Sequence, residues 1–376
     1  ARLAAMACEG LAGVVVWNDG TVAAADGKPT PFGGAVQQGV QRLLPVLDAC
    51  AGAVVEAGPV WVLESQASVR VWWMLDSAAD GMTWVRRLSS YESTHSTSQA
   101  ARLGWIRLLQ DLGLQPHFVA EATLPERLLQ QRPRCLVLPA AIALADRTVQ
   151  AITAYVQAGG IVMGDHTVGL YDGDLVRRSA GGLDAVFGIE VRSLAWNDLL
   201  VREGRSTARA GGLPLVERQL KGRMAERREE GQCFLENTLG RGRGVYLNAP
   251  VVAYDNWRLD EQHVEAAREL RRRVRAVLQQ AGVQPPCEVR GEGLPTCIER
   301  VPLRLRDGRR VLAIRIHALD APRLLQRLAE SGPRPVQVEL PVARALRHLG
   351  GEDLGTNTRF DLRLDPFGAL FLEDAR

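Results

Sequence analysis

From Pro59 to Asp165 the sequence repeats one pattern, and nothing else in the chain constrains the fold as strongly. Short apolar runs, PVWVLE (59–64), QPHFV (115–119), RCLVLP (134–139) and IVMGD (161–165), alternate with segments of helical periodicity. A strand that is apolar at every position has both faces buried, and that happens when helices cover both sides of a parallel sheet. The helical segments carry their own punctuation. SVRVWWMLDSA (68–78) is short. STSQAARLGWIRLLQDLG (96–113) offers Ser96 or Ser98 as its cap and Gly113 as its stop, and LADRTVQAITAYVQAGG (144–160) ends on Gly159-Gly160. The reading is α/β, a Rossmann-like or flavodoxin-like parallel sandwich.

The flanks differ in texture. Residues 170–243 are looser, with a helix expected near Leu183–Phe187, then strands GQCFLENTL (231–239) and GVYLNAP (244–250) rejoining the sheet. A helix from about Asp260 to Gln280 carries the apolar stripe Val264, Ala267, Leu270, Val274, Val277 and Leu278. Its arginine run reads as a solvated face, with Glu269 four residues before Arg273. After Pro285-Pro286 the period changes to two, and Asp307-Gly308 marks a hairpin, so a small antiparallel β domain closes the chain. At the other end, ARLAAMACEG reads as the tail of a helix. Leu11–Trp17 follows as a buried strand, and a helix runs from about Ala35 to Cys50. One strand and two helical pieces cannot close a core, so this part needs something absent or docks on its neighbours.

Composition narrows the function classes. At 376 residues the chain exceeds one ordinary core. A net charge of +3 gives no electrostatic case for nucleic acid, and the basic residues are all Arg except Lys28 and Lys221. No apolar run approaches the roughly 18–20 residues that span a bilayer, so no membrane partner is expected. Glu9 and Gly10 interrupt the first apolar stretch, which argues against a signal peptide, and the absence of an initiator Met suggests a piece of something longer. Cys8, Cys50, Cys135, Cys233, Cys287 and Cys297 are scattered without a CxxC pair, as expected of free thiols in a cytoplasmic protein. Cys287 and Cys297 are the pair that an oxidising compartment would join.

The parallel sandwich invites three chemistries. Dinucleotide binding wants G-x-G-x-x-G after the first strand, where this chain has LESQASVR. No cofactor is therefore expected. An amidotransferase or related hydrolase wants a nucleophile on a tight strand-to-helix elbow, but Cys135 lies inside an apolar strand and reads as a core thiol. Metal-assisted hydrolysis would draw on Asp165 and His166 at the carboxyl end of IVMGD. A lone Asp-His pair anchors a loop more often than it holds a metal, so no metal site is expected. Glu64, ending the first sheet strand, is a candidate general base, or a carboxylate bonded to neighbouring loop amides. Trp72, Trp73, Trp84 and Trp105 offer stacking area to a sugar or a subunit, with half of them expected in the core. His95 reads as a loop residue and His117 as a satisfied core histidine.

Taken together, LAGVVVWND, the loop with DGKP, and LPVLDACAGAVVEAGPVWVLESQASVRVWWMLD resemble the closing part of a family 42 glycoside hydrolase, the β-galactosidase type. The later stretches RCLVLPAAIALADRTVQAITAYVQAGGIVMGD, LDAVFGIEV and FDLRLDPFGALFLED extend the resemblance over nearly the whole chain. It implies a flavodoxin-like, amidotransferase-like trimerisation domain lacking the nucleophile. A remnant of a (β/α)8 barrel would precede it and a small antiparallel β domain would follow. The implied division is 1–52 barrel end, 53–256 trimerisation domain, 257–284 connecting helix and 285–376 β domain. The family's two catalytic glutamates sit on barrel strands that are not in this sequence, so no catalytic residue is assignable. What carries over is Trp17 as an aromatic platform under a sugar, with Asn18 and Asp19 as hydroxyl-binding neighbours. Trp72 and Trp73 become interface residues, the expected partner is a carbohydrate, and the expected assembly is a homo-trimer. Two further readings stay open: a non-enzymatic assembly or carbohydrate-binding protein, and a stand-alone hydrolase using Glu64, Asp165 and His166.

Overall fold

The computed structural model describes residues 2–11, 20–79, 96–165, 168–190, 218–219, 223–227, 233–248, 251–260, 262–317 and 322–375. Trp17, Asn18, Asp19, Trp84, His95 and His166 lie outside the described residues, as does most of the strand expected at Leu11–Trp17. The chain divides into two compact units. One comprises Gly58–Leu112 and Pro116–Gln284, the other Ala1–Ala57, Gly113–Gln115 and Pro285–Arg376.

The first unit is built on a sheet of strands β1 (Val60–Glu64), β2 (His117–Ala120), β3 (Cys135–Leu138), β4 (Ile161–Asp165), β5 (Arg223–Arg227), β6 (Cys233–Leu239) and β7 (Gly242–Asn248). Their order across the sheet is β2-β1-β3-β4-β7-β6-β5. The first five of that order run parallel, and β6 and β5 are added antiparallel at the far edge. The central strands β3 and β4 are buried at every position and β1 at all but Glu64, whereas edge strand β2 buries only Val119. The uninterrupted apolar runs are thus the strands flanked on both sides.

Helices α1 (Gln66–Ala79), α2 (Thr97–Asp111), α3 (Leu124–Gln131), α4 (Asp146–Gln157) and α5 (Val264–Gln280) pack in the unit, with short helices at Asp184–Phe187, near the expected position, and Tyr254–Trp257. Ser96 is the cap of α2, its hydroxyl accepting from Gln99 N at 3.3 Å, and Gly113 follows the helix at φ +81°. Ser98 serves no capping role. Gly164 inside β4 has a packing reason: a Cβ there would stand 2.7 Å from the Phe187 ring. The stripe expected on α5 is buried as read, apart from half-buried Val264, but Arg271 breaks the solvated-face reading. It is buried and donates to Tyr254 Oη at 3.0 Å, and Tyr254 donates to Asp111 at 2.6 Å. Arg258 closes this network on Asp111 at 2.8 Å. Burial still pushes the Asp111 carboxyl above the usual carboxylate range, against the opposing pull of Arg258.

The second unit is an antiparallel sheet. Its strands are β8 (Glu288–Arg290), β9 (Ile298–Arg304), β10 (Arg310–Ile316), β11 (Arg334–His348), β12 (Asp353–Leu364) and β13 (Leu370–Asp374), with the pair Val54–Val55 at one edge beside β9. The Asp307-Gly308 signal makes the β9–β10 hairpin, with Gly308 at φ +86° and Asp307 accepting from Arg309 N. The amino-terminal helices Arg2–Cys8 and Pro31–Cys50 do not stand alone: Ala7, Cys8, Cys50 and Ala53 pack with Val301, Leu303, Val311 and Phe371 in one core. Helix Pro322–Ser331, absent from the sequence reading, also belongs to this unit. Two carboxylates are fully enclosed here. Glu299 meets Arg315 at 2.5 Å, the residue opposite it in the β9–β10 register, and accepts from Gln115 at 3.1 Å. Glu373 is held by Arg309 at 2.7 Å and by Arg347 at 2.6 Å. Cys287 and Cys297 are buried free thiols.

Candidate functional site

The order β2-β1-β3 places the point where the sheet's winding reverses between β1 and β3. Open α/β sheets form a crevice there, beyond the carboxyl ends of the strands. This chain has one, a cleft of about 530 Å³ lined in part by Leu63 and Glu64 from the end of β1 and by Pro139 and Ala141 after β3. Helix α1 forms one wall and the first turns of α2 another.

Helical periodicity divides α1 into two jobs. Residues Ser65, Ser68, Trp72 and Asp76, spaced three or four apart, share one face, and all four are buried. Ser65 Oγ accepts from Ser68 N at 3.0 Å and donates to Ala143 O at 3.0 Å. Ser68 Oγ bonds both backbone groups of Ala143. Trp72 Nε1 donates to Ala140 O at 2.8 Å, and Asp76 receives both Thr97 N and Thr97 Oγ1 at the start of α2. The adjacent face, bearing Gln66, Val69, Arg70, Trp73 and Met74, lines the cleft. The two neighbouring tryptophans therefore part: Trp72 is enclosed in the unit's core, and half-buried Trp73 forms part of the cleft wall.

The floor is fixed from below. Asp165, at the end of β4, is wholly buried and accepts from Ala140 N at 2.6 Å and Trp105 Nε1 at 2.7 Å. Ala140 is clamped between Asp165 and Trp72 at φ +41°, left-handed backbone that a residue with a Cβ adopts only when its surroundings hold it there. Burial pushes the Asp165 carboxyl up to about 7, outweighing the hydrogen bonds from Ala140, Trp105 and its own backbone amide that favour its charged form. Asp165 is thus a loop anchor. Glu64 is exposed and pairs with Arg102 of α2 at 3.2 Å, an ion pair rather than the loop-amide bond considered from sequence. In the sheet β3 lies between β1 and β4, so the Glu64 and Asp165 backbones stand about 10 Å apart by strand spacing, with Glu64 held in its ion pair and Asp165 in its loop bonds. The geometry gives a stand-alone hydrolase through this pair no support.

The remaining candidates are structural. Cys135 is wholly buried in β3, and burial pushes its thiol far up, which keeps it protonated and unreactive. His117 is half-buried on the edge strand, 5.2 Å from the Trp61 ring and 2.5 Å from Arg127, and burial and that cation hold its pKa down. Among the described residues no three His, Cys, Asp or Glu side chains are grouped to hold a metal ion. No described helix is long and apolar enough to cross a membrane. Sequence reading missed Ser68, Asp76, Gln99 and Arg102. Only the serine spacing at Ser65 and Ser68 offered a signal.

No protein-family model matches the chain, and no curated protein is similar to it. Its fold is similar to that of solved β-galactosidases. For the enzyme from Bacillus circulans sp. alkalophilus the TM-score is 0.59 at 15% identity, covering 94% of this chain and 47% of that one. For Gan42B, a GH42 β-galactosidase from G. stearothermophilus, the TM-score is 0.57 at 12% identity, covering 94% and 46%. For the cold-adapted β-galactosidase from Rahnella sp. R3 the TM-score is 0.54 at 17% identity, again covering 94% and 46%. At these identities the likeness is one of fold. The chain spans just under half the length of the structures it matches.

Proposed function

We propose that this chain is the carboxy-terminal portion of a β-galactosidase-like glycoside hydrolase, serving assembly and active-site completion, with the catalytic glutamates outside it. One observation carries the reading. The fold likeness runs over nearly all of this chain while taking in less than half of each β-galactosidase. The strand order of the parallel sheet supports a flavodoxin-like, amidotransferase-like trimerisation domain at 53–256, and the enclosed Cys135 thiol fits a version of that fold with no nucleophile. In this reading 1–52 ends the barrel, 257–284 connects, and 285–376 is the terminal β domain. Trp17 supplies the platform under the sugar, and Asn18 and Asp19 bind its hydroxyls. Trp73 packs against the barrel or a neighbouring protomer, while Trp72, expected at the same interface, is instead enclosed in the unit's core. The ligand of the assembled enzyme is a β-galactoside or a related carbohydrate, in the cytoplasm.

Light scattering behind a sizing column tests the assembly, with a species near three times 41.1 kDa expected. Hydrolysis of a chromogenic β-galactoside tests the rest. The chain alone is expected to be silent, and adding a chain that supplies a (β/α)8 barrel with its two glutamates is expected to give activity that Trp17→Ala lowers. A monomer that never restores activity sinks the reading.

A further inference from the structure

We infer that the groove between the last turns of α3, α4 and α5 is a binding site for a small organic anion, a carboxylate or phosphate head carried on an apolar body. The groove lies at the amino ends of β3 and β4, the opposite end of the sheet from the crevice. Its volume of about 720 Å³ falls among ligand pockets, typically about 300–1,000 Å³. Leu128, Leu129, Ala151, Ala154 and Ile161 make an apolar floor, and Leu129 is 74% exposed. The only ionisable side chains that line it are Arg132, Arg134 and Tyr155, and burial keeps the Tyr155 phenol protonated. Among the described residues neither arginine has an ion-pair or side-chain hydrogen-bond partner. Two guanidinium groups thus line one groove with no carboxylate to answer them. An anionic head supplies the missing charge through charge-assisted hydrogen bonds, and an apolar body covers the floor.

The backbone that carries both arginines is held in place. Arg132 closes α3 in left-handed backbone at φ +41°, the Tyr155 hydroxyl lies 2.9 Å from Pro133 O, and Arg134 N donates to Pro59 O at 2.9 Å. Free carbonyls at helix ends would repel an anion, but those of α4 and α5 are taken. The Ala158, Gly160 and Gly159 amides bond Ala154 O, Tyr155 O and Val156 O. Those of Ala281, Val283 and Gly282 bond Val277 O, Leu278 O and Gln279 O. Helix α3 ends on a cation, Arg132 itself, and Arg241 adds another beside the groove by donating to Ala158 O at 3.2 Å.

The inference does not rest on the glycosidase reading, since no barrel, glutamate or subunit contact enters it. Isothermal titration of the purified chain with octanoate and phenyl phosphate tests it at constant ionic strength. Acetate and inorganic phosphate serve as heads without the body, and benzyl alcohol as a body without the head. At least one of the two amphiphiles should bind saturably, about tenfold or more tighter than any of these three controls. A preference for octanoate would mark an alkyl acid as the ligand class, and one for phenyl phosphate an aryl phosphate ester. The double variant Arg132→Gln/Arg134→Gln should weaken the binding by about tenfold or more, two charge-assisted bonds being lost, with its melting temperature unchanged. Ala154→Leu, which fills the floor and spares both arginines, should weaken it too, whereas Arg70→Gln in the crevice should not. Four results overturn the proposal: neither amphiphile binds, a control binds as tightly, either groove variant binds as the parent does, or the loss follows Arg70→Gln instead. Failure to restore hydrolysis with a barrel chain would leave all of these readouts unaffected.

Discussion

The two units solve the same problem, an enclosed carboxylate, in opposite ways. In the antiparallel unit Glu299 and Glu373 each face arginines, Arg315 for the first and Arg309 with Arg347 for the second. Beneath the crevice of the parallel unit, Asp165 faces only neutral donors, an indole N–H and a backbone amide. The difference teaches what each carboxylate is for. A charge answered by a charge locks neighbouring strands in register, and removing one partner strands the other. A carboxyl answered by dipoles holds a loop in place while its proton remains exchangeable near neutral pH.

The sharpest break in the comparison is Glu299→Ala. It leaves Arg315 buried with only the more distant Glu9, at 3.8 Å, and should cost about 3–5 kcal/mol in denaturant unfolding of the antiparallel unit. Next comes Asp165→Asn, whose amide must turn an N–H toward Ala140 N or Trp105 Nε1, for about 1–3 kcal/mol at pH 5. The same variant sharpens the contrast through pH. Folding raises the Asp165 carboxyl from the ordinary range to about 7, so between roughly pH 4 and 7 the folded state holds the extra proton. Asp165's contribution is therefore complete below pH 4 and declines as pH rises to 7, by on the order of 1 kcal/mol per pH unit. Melting temperatures across that window should lose this decline in Asp165→Asn and keep it in Glu299→Ala. Smaller still is Ser65→Ala, which removes the α1 cap and a bond to Ala143, about 1 kcal/mol by the same unfolding measurement. The smallest effect belongs to Glu64→Gln. Its ion pair is open to solvent, so stability should shift by no more than about 0.5 kcal/mol. A larger loss there would mean that the crevice rim is structural.

These contrasts explain what was legible in the sequence. Strands β1, β3 and β4 stood out because burial on both faces leaves an unbroken apolar signature, and the Asp307-Gly308 hairpin because its turn demands those residues. The crevice was half-visible. Glu64 could be read at a strand end, but its partner Arg102 is brought in by the fold and lies 38 residues along the chain. Trp72 and Trp73 looked equivalent until α1 turned one inward to Ala140. Helix Pro322–Ser331 had a proline at its first position and Gly332 after its last, yet it was lost among alternating segments on either side. The Glu299–Arg315 pair was recoverable only once the hairpin had fixed the register.

The composition of the antiparallel unit also sets an order of events during synthesis. Val54 pairs with Arg304, about 250 residues away, and Cys8 and Cys50 share a core with Phe371. Contacts so remote close slowly and expose apolar surface while they wait. The parallel unit, nearly continuous from Gly58 to Gln284, can complete its sheet while the first helices are still without a partner. Those helices form early and wait, because the strands that cover them follow the whole of the parallel unit along the chain.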